Sequence, residues 1–205
     1  MTMQDVIVMV DNGHGRETCG KRSPDGRLKE WAWTRDVARR VVAELRDCGC
    51  DARLVTPEDA DVPLKTRVAR VNAVCKSAGK KQCVLVSLHV NASGGDGKWH
   101  DAYGWSVYVS KNASEKSKKL ARLMTERAMG MELMGNRSVP KEKYWTWSWT
   151  KNDIYLLRET ACPAVLTENG FMDNRDEVDF LTSDDGMAEL VLLHVESIID
   201  YIGML

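Results

Sequence analysis

Four side chains of this sequence could do chemistry together. His14 stands in the loop Asp11-Asn12-Gly13-His14-Gly15 and His89 in the run Ser87-Leu88-His89-Val90-Asn91. Glu168 falls in Thr167-Glu168-Asn169-Gly170, and Glu30 opens a helical segment. Neutral imidazole nitrogen and carboxylate oxygen are both zinc donors. A catalytic zinc site uses three protein ligands and keeps one position for water. The ion acidifies that water and polarises a carbonyl. A second carboxylate outside the ligand set can then move the proton. His14, Glu30 and His89 around one zinc ion, with Glu168 as general base and acid, make the set of a zinc hydrolase.

Each of these residues has a plainer role open to it. Glu30 can simply favour a positive helix N-terminus. The two histidines can hydrogen-bond loop backbone, and Glu168 can cap a following helix. Four such accidents on one edge of a sheet are the weaker account. His194 marks the contrast: it shares an apolar helical stripe with Met187, Val191 and Ile198 and reads as a satisfied core histidine. His100, in a polar loop, reads as solvated.

The elements that must position these residues alternate between strand and helix. Val6–Val10 is a continuous apolar run of strand length that ends in the glycine-punctuated loop of His14. A helix is predicted from Lys29 to Cys48, stopped by Gly49, and a short strand near Ala52–Val55. Pro63 starts a second helix, with Leu64, Val68, Val71 and Cys75 on one face. Cys83–Leu88, Trp105–Val109 and Ala164–Thr167 are strands, with a helix from Ser114 to about Met131 and a closing helix from Asp184 to Tyr201. The pattern predicts a single α/β domain over residues 1–205, a mostly parallel central sheet with helices on both faces. Such sheets carry their sites beyond the carboxyl ends of the strands, where His14, His89 and Glu168 then converge. In the first helix Val37, Val41 and Leu45 mark the core stripe. Glu30 lies 7, 11 and 15 positions before them, within about 60° of the same azimuth. It therefore points inward, and an inward carboxylate needs a partner.

Composition excludes several classes. The 205 residues carry 29 Lys plus Arg against 30 Asp plus Glu, a net charge of -1. That balance argues against nucleic-acid binding or a polybasic membrane tether as the main role. No apolar run reaches the ~18 residues of a membrane span, so no membrane insertion is expected. The N-terminus lacks a signal-peptide pattern, which predicts synthesis in the cytoplasm with an export route that the sequence leaves open. Six cysteines without a Cys-x-x-Cys pair read as reduced thiols rather than a disulfide framework. The acid-rich stretch 173–185 and the basic helix face 116–127 read as surface.

At this point the motifs are familiar. Over nearly its whole length the chain resembles the zinc-dependent N-acetylmuramoyl-L-alanine amidases of bacterial autolysins, cell-separation enzymes and phage endolysins. Asp11–Gly15 is similar to the family's Asp-Pro-Gly-His-Gly ligand motif, with Asn12 in place of proline. Ser87–Ala92 is similar to its Ser-Ile-His-Ala-Asn-Ala motif, Glu30 falls where the second ligand is expected, and Pro163–Asn174 looks like the segment of the catalytic glutamate. The resemblance implies zinc-activated water attacking the amide between N-acetylmuramic acid and L-alanine. Glu168 takes the water proton and passes it to the leaving amine. Asn136–Val139 resembles a substrate-side Asn-Arg-Gly-Val segment, with Ser138 for glycine. Only Val90–Ala113 separates His89 from the next helix, which implies that the inhibitory helix of some relatives is not present.

The partners implied are the peptidoglycan glycan strand and its stem peptide, met by a monomer acting on the cell wall. In Tyr144–Trp149 aromatics alternate with hydroxyl residues. This is a strand with one aromatic face, a groove lining that stacks on sugars, or a hydrophobic clamp. Asn91, Arg137, Trp145 and Trp147 are the expected substrate contacts. Arg137 and Lys141 could pair with stem-peptide carboxylates or be solvated charges. Two other classes fit the same residues: another zinc amide hydrolase, such as a carboxypeptidase or deacetylase, and a non-catalytic cell-wall-binding relative.

Overall fold

The computed structural model describes residues 2–136, 140–146 and 153–205. After a short 3-10 turn, β1 (Val6–Asn12) leads into α1 (Glu30–Asp47), β2 (Asp51–Leu54), α2 (Leu64–Ser77) and β3 (Gln82–Asn91). Then come β4 (Trp105–Val109), α3 (Glu115–Gly130), β5 (Trp145–Thr146) and α4 (Tyr155–Glu159). β6 (Ala164–Phe171), α5 (Arg175–Thr182) and α6 (Asp184–Gly203) complete the chain. The strands form one sheet in the order β2-β1-β3-β6-β4-β5. β2, β1, β3 and β6 run parallel, while β4 pairs antiparallel to β6 and parallel to β5. The expected α/β fold, a mostly parallel sheet with helices on both faces, is the fold observed.

Alternation along the strands sorts their side chains onto two unlike faces. Val6, Val8 and Val10 join Val84, Val86, Leu88, Val165 and Val107 in the larger core, under α1, α3, α5 and α6. Ile7, Met9, Leu85, Ala164, Leu166 and Tyr108 build the smaller core against α2 and α4. On this second face the apolar layer stops short. In the strand direction it gives way to Asp11, Ser87, His89, Glu168 and Ser106, which sit in register across four strands. The smaller helical layer thus leaves the carboxyl end of the sheet open to polar groups.

Several expectations need correction. The last strand does not end at Thr167 but runs to Phe171, so Glu168 lies inside a strand and is no helix cap. β3 likewise extends to Asn91. Leu64 is 52% exposed and not part of the buried face of α2; it is the first residue of the helix, beyond the reach of the sheet. The stretch 173–185 is not plain surface. It holds α5, whose Val178 and Leu181 are in the core, and Asp173 is buried. Asn174 caps α5 by accepting from Glu177 N–H, so the acids cluster at the positive helix end, where they are favoured. The six cysteines stand as free thiols.

Candidate metal centre

β1 hands the chain to a tight loop at Gly13. A Cβ there would lie 2.4 Å from the His89 ring, so only glycine lets the two segments approach. His14 follows with φ of 60°, in the left-handed region that non-glycine residues adopt at a cost of order 1–3 kcal/mol. The surroundings impose this conformation. The His14 carbonyl accepts from Arg35 Nη2 at 3.0 Å and from Arg67 Nη2 at 2.9 Å. Thr34 Oγ1 donates to the Gly13 carbonyl at 3.1 Å. Both arginines are buried. Arg67 is neutralised by Asp11 at 2.9 Å, and Asp11 also accepts from Ser87 Oγ at 2.8 Å.

Glu30, the first residue of α1, is fully buried. Its Oε1 accepts from Val90 N–H at 3.0 Å and lies 3.2 Å from His89 Nδ1. Its Oε2 lies 3.4 Å from His14 Nε2 and has no hydrogen-bond partner. Among the described residues no lysine or arginine pairs with it. Burial alone would push Glu30 upward, but its hydrogen bond to His89 and the nearby rings hold it below its ordinary value. Burial pushes His14 down to about 4, against the pull of Glu30. For His89 burial also disfavours the protonated ring, yet hydrogen bonding to Glu30 outweighs it and raises the group.

The ligand atoms of His14, Glu30 and His89 all lie within 4.8 Å of one another. Oε1 faces the His89 ring at 3.2 Å and Oε2 the His14 ring at 3.4 Å, so the carboxylate gathers nitrogen and oxygen donors of the kind zinc takes. A buried carboxylate bracketed by two imidazoles, with one oxygen unsatisfied, fits a divalent cation. Glu168 faces His89 in register across β3 and β6 and is half-buried. Its carboxylate is among the charges that raise His89. The four residues singled out for chemistry are thus brought to one place.

The proposed substrate contacts are placed unevenly. Asn91 ends β3, half-buried, and its side chain accepts from Ala92 N–H. Trp145 opposes Tyr108 on β5. It shares a sheet face with Glu168 but lies two strands from β6. Arg137 and Trp147 fall outside the described residues. His194 is buried: Nδ1 meets the Leu190 carbonyl at 2.6 Å and Nε2 meets Thr167 Oγ1 at 3.0 Å. His100 is held by Asp96 at 2.9 Å and is half-exposed.

Sequence reasoning missed Arg35, Arg67 and Asn169. Asn169 donates to the His89 carbonyl and accepts from Trp105 Nε1, tying the ligand strand to its neighbours. One signal was available: Arg67 lies four positions before the core residue Val71, on the apolar stripe of α2.

Among the described residues, no helix is long and apolar enough to cross a membrane. The sequence profile of the N-acetylmuramoyl-L-alanine amidase family matches residues 8–200. The endolysin of Bacillus phage SPP1 is 25% identical over 209 aligned positions, covering 97% of this chain. The chain spans 66% of that endolysin's length. The catalytic domain of CwlV, an amidase from Bacillus (Paenibacillus) polymyxa var. colistinus, is 25% identical with a TM-score of 0.74, covering 96% of this chain and 98% of that one. An N-acetylmuramoyl-L-alanine amidase from Clostridium difficile 630 shares the fold at 22% identity and a TM-score of 0.77, covering 97% of each chain. With the profile matched across all but a few terminal residues, the chain belongs to the N-acetylmuramoyl-L-alanine amidase family.

Proposed function

We propose that residues 1–205 act as one catalytic domain, working as a monomer, that hydrolyses the amide between N-acetylmuramic acid and L-alanine in peptidoglycan. The observation that carries this reading is the buried Glu30 carboxylate. It is flanked by His14 and His89, and Glu168 stands opposite His89 on the next strand. His14, Glu30 and His89 would hold one zinc ion. A zinc ion supplies Lewis-acid polarisation of a carbonyl and lowers the pKa of water to about 7.

The chain's own residues do the rest. The arginine clamp and Gly13 fix the His14 loop, and Val90 N–H and His89 orient Glu30. Glu168 takes a proton from water as oxygen bonds to the lactyl carbonyl carbon. It delivers that proton to the L-alanine nitrogen as the C–N bond breaks. The products are a glycan carrying lactyl carboxylate and a free stem peptide. Asn91 and Trp145 contact the substrate along the face that Trp145 shares with Glu168.

Mass spectrometry of digested, purified peptidoglycan tests this reading. Stem peptides beginning at free L-alanine are expected, lost with a chelator and restored by zinc. Shortened peptides still attached to muramic acid would overturn it in favour of a carboxypeptidase.

A further inference from the structure

We propose that a cationic groove beside the metal centre binds the carboxylates of the stem peptide and selects substrates that carry them. The inference rests on the amidase reading and adds which part of the substrate the chain reads.

Two adjoining cavities of about 270 and 440 Å³ share Gly20 and Arg22. Their walls continue the three site segments: residues 20–24 lead toward Glu30, 92–98 follow His89, and 172–173 follow Glu168. The groove is fastened to the centre. Glu30 N–H donates to the Lys21 carbonyl at 3.0 Å, and Arg22 bridges Lys29 through backbone.

The charge pattern is selective. Around this loop, Arg16 pairs with Asp59, and Arg27 pairs with Asp25 and Asp179. Lys21, Arg22, Lys29 and Lys98 line the same cavities, and none of them has an ion-pair partner among the described residues. Two acids, Asp173 and Glu17, share these walls and are outnumbered by the unpaired cations. Asp173 Oδ2 accepts from Ser93 and Gly94 N–H at 2.8 and 2.9 Å, shaping the loop that bears Lys98. Asp96 holds His100, and Glu17 accepts from Asp61 N–H.

Unpaired cations gathered in a concave site call for an anionic ligand. A guanidinium such as Arg22 suits a carboxylate through paired N–H donors. On the substrate the lactyl carboxyl is locked in the scissile amide, so free carboxylates lie on the peptide side.

The test compares synthetic muramoyl peptides with stem carboxylates free or converted to carboxamides, on zinc-loaded wild type and the Arg22→Gln/Lys98→Gln variant. For the free carboxylates the variant should raise KM by about tenfold, with kcat within about twofold. This is the loss expected for one or two partly exposed charge-assisted hydrogen bonds. For the carboxamides, KM should be the same in both proteins. Equal KM in both proteins on the carboxylate substrate, or the same loss on the carboxamide, overturns the proposal. So does a loss seen only on walls bearing phosphate polymers. Calorimetric binding of the free stem peptide separates the two readings. Binding that needs Arg22 and Lys98, without any release of L-alanine-terminated peptide, sinks the amidase reading and leaves the groove assignment. Cleavage with no such binding preference sinks the groove alone.

Discussion

Glu168 and the histidines differ in their surroundings as the proposed roles require. Glu30 is held by Val90 N–H and by the rings of His14 and His89, as a proposed ligand set requires. Glu168 stands opposite His89 on the next strand, and the proposed reaction gives it the proton transfer. Glu168→Gln keeps the shape and removes the base. Turnover should fall by about 10²–10⁴-fold, while metal content measured by atomic emission stays at wild-type level. Full activity would remove Glu168 from the reaction. The four chemical residues were legible because each interrupts a readable pattern: His14 in a glycine loop, Glu30 on an apolar stripe, His89 and Glu168 after apolar strand runs. Arg35 and Arg67 were not. Arg67's place on the apolar stripe of α2 pointed to burial, but only the folded loop shows that both arginines reach the His14 carbonyl.

The elements add a second layer of support. Asn169 Nδ2 reaches both the His89 carbonyl and Thr167 Oγ1, and Thr167 in turn meets His194 on α6. Nδ1–H of His194 donates to the Leu190 carbonyl, so the buried ring is neutral and accepts from the Thr167 hydroxyl. Burial lowers His194 to about 4, below the ordinary value of about 6.5. The unfolded chain therefore binds the proton first. Stability is complete above about pH 6.5 and is lost as pH falls toward 4, by on the order of 3 kcal/mol. Urea unfolding between pH 4 and 7 should show this slope, and His194→Asn should flatten it. An unchanged slope in the variant would assign it to other groups. Long helices and buried strands followed from periodicity, since α1, α3 and α6 each bury one stripe. The short α4 and α5 did not, and the two-residue β5 was only one of three readings of the alternating aromatics. Their lengths give no period to read, and the acids of α5 mask the buried Val178 and Leu181.

At the scale of the molecule, the unequal helical layers explain where the site lies. Four helices cover one face, while α2 and α4 cover only part of the other. The polar ends of β1, β3, β6 and β4 fill the gap. Parallel register alone brings residues as distant as Asp11 and Glu168 to one edge, which is why the convergence was readable from the shared carboxyl ends of parallel strands before any contact was known. The chelated protein is expected to keep its far-UV circular dichroism and regain activity on adding zinc. Loss of secondary structure on chelation would mean that the ion, not the chain, builds the cradle.

The arginine clamp on the His14 carbonyl has a wider consequence. Arg35 and Arg67 bend that loop with bonds that involve no donor atom of the candidate metal site. The loop is therefore set by the polypeptide itself, and a cation bound there would enter a receptacle already shaped. On the zinc reading proposed above, hydrolysis would then be metered by metal supply after synthesis rather than by the rate of folding.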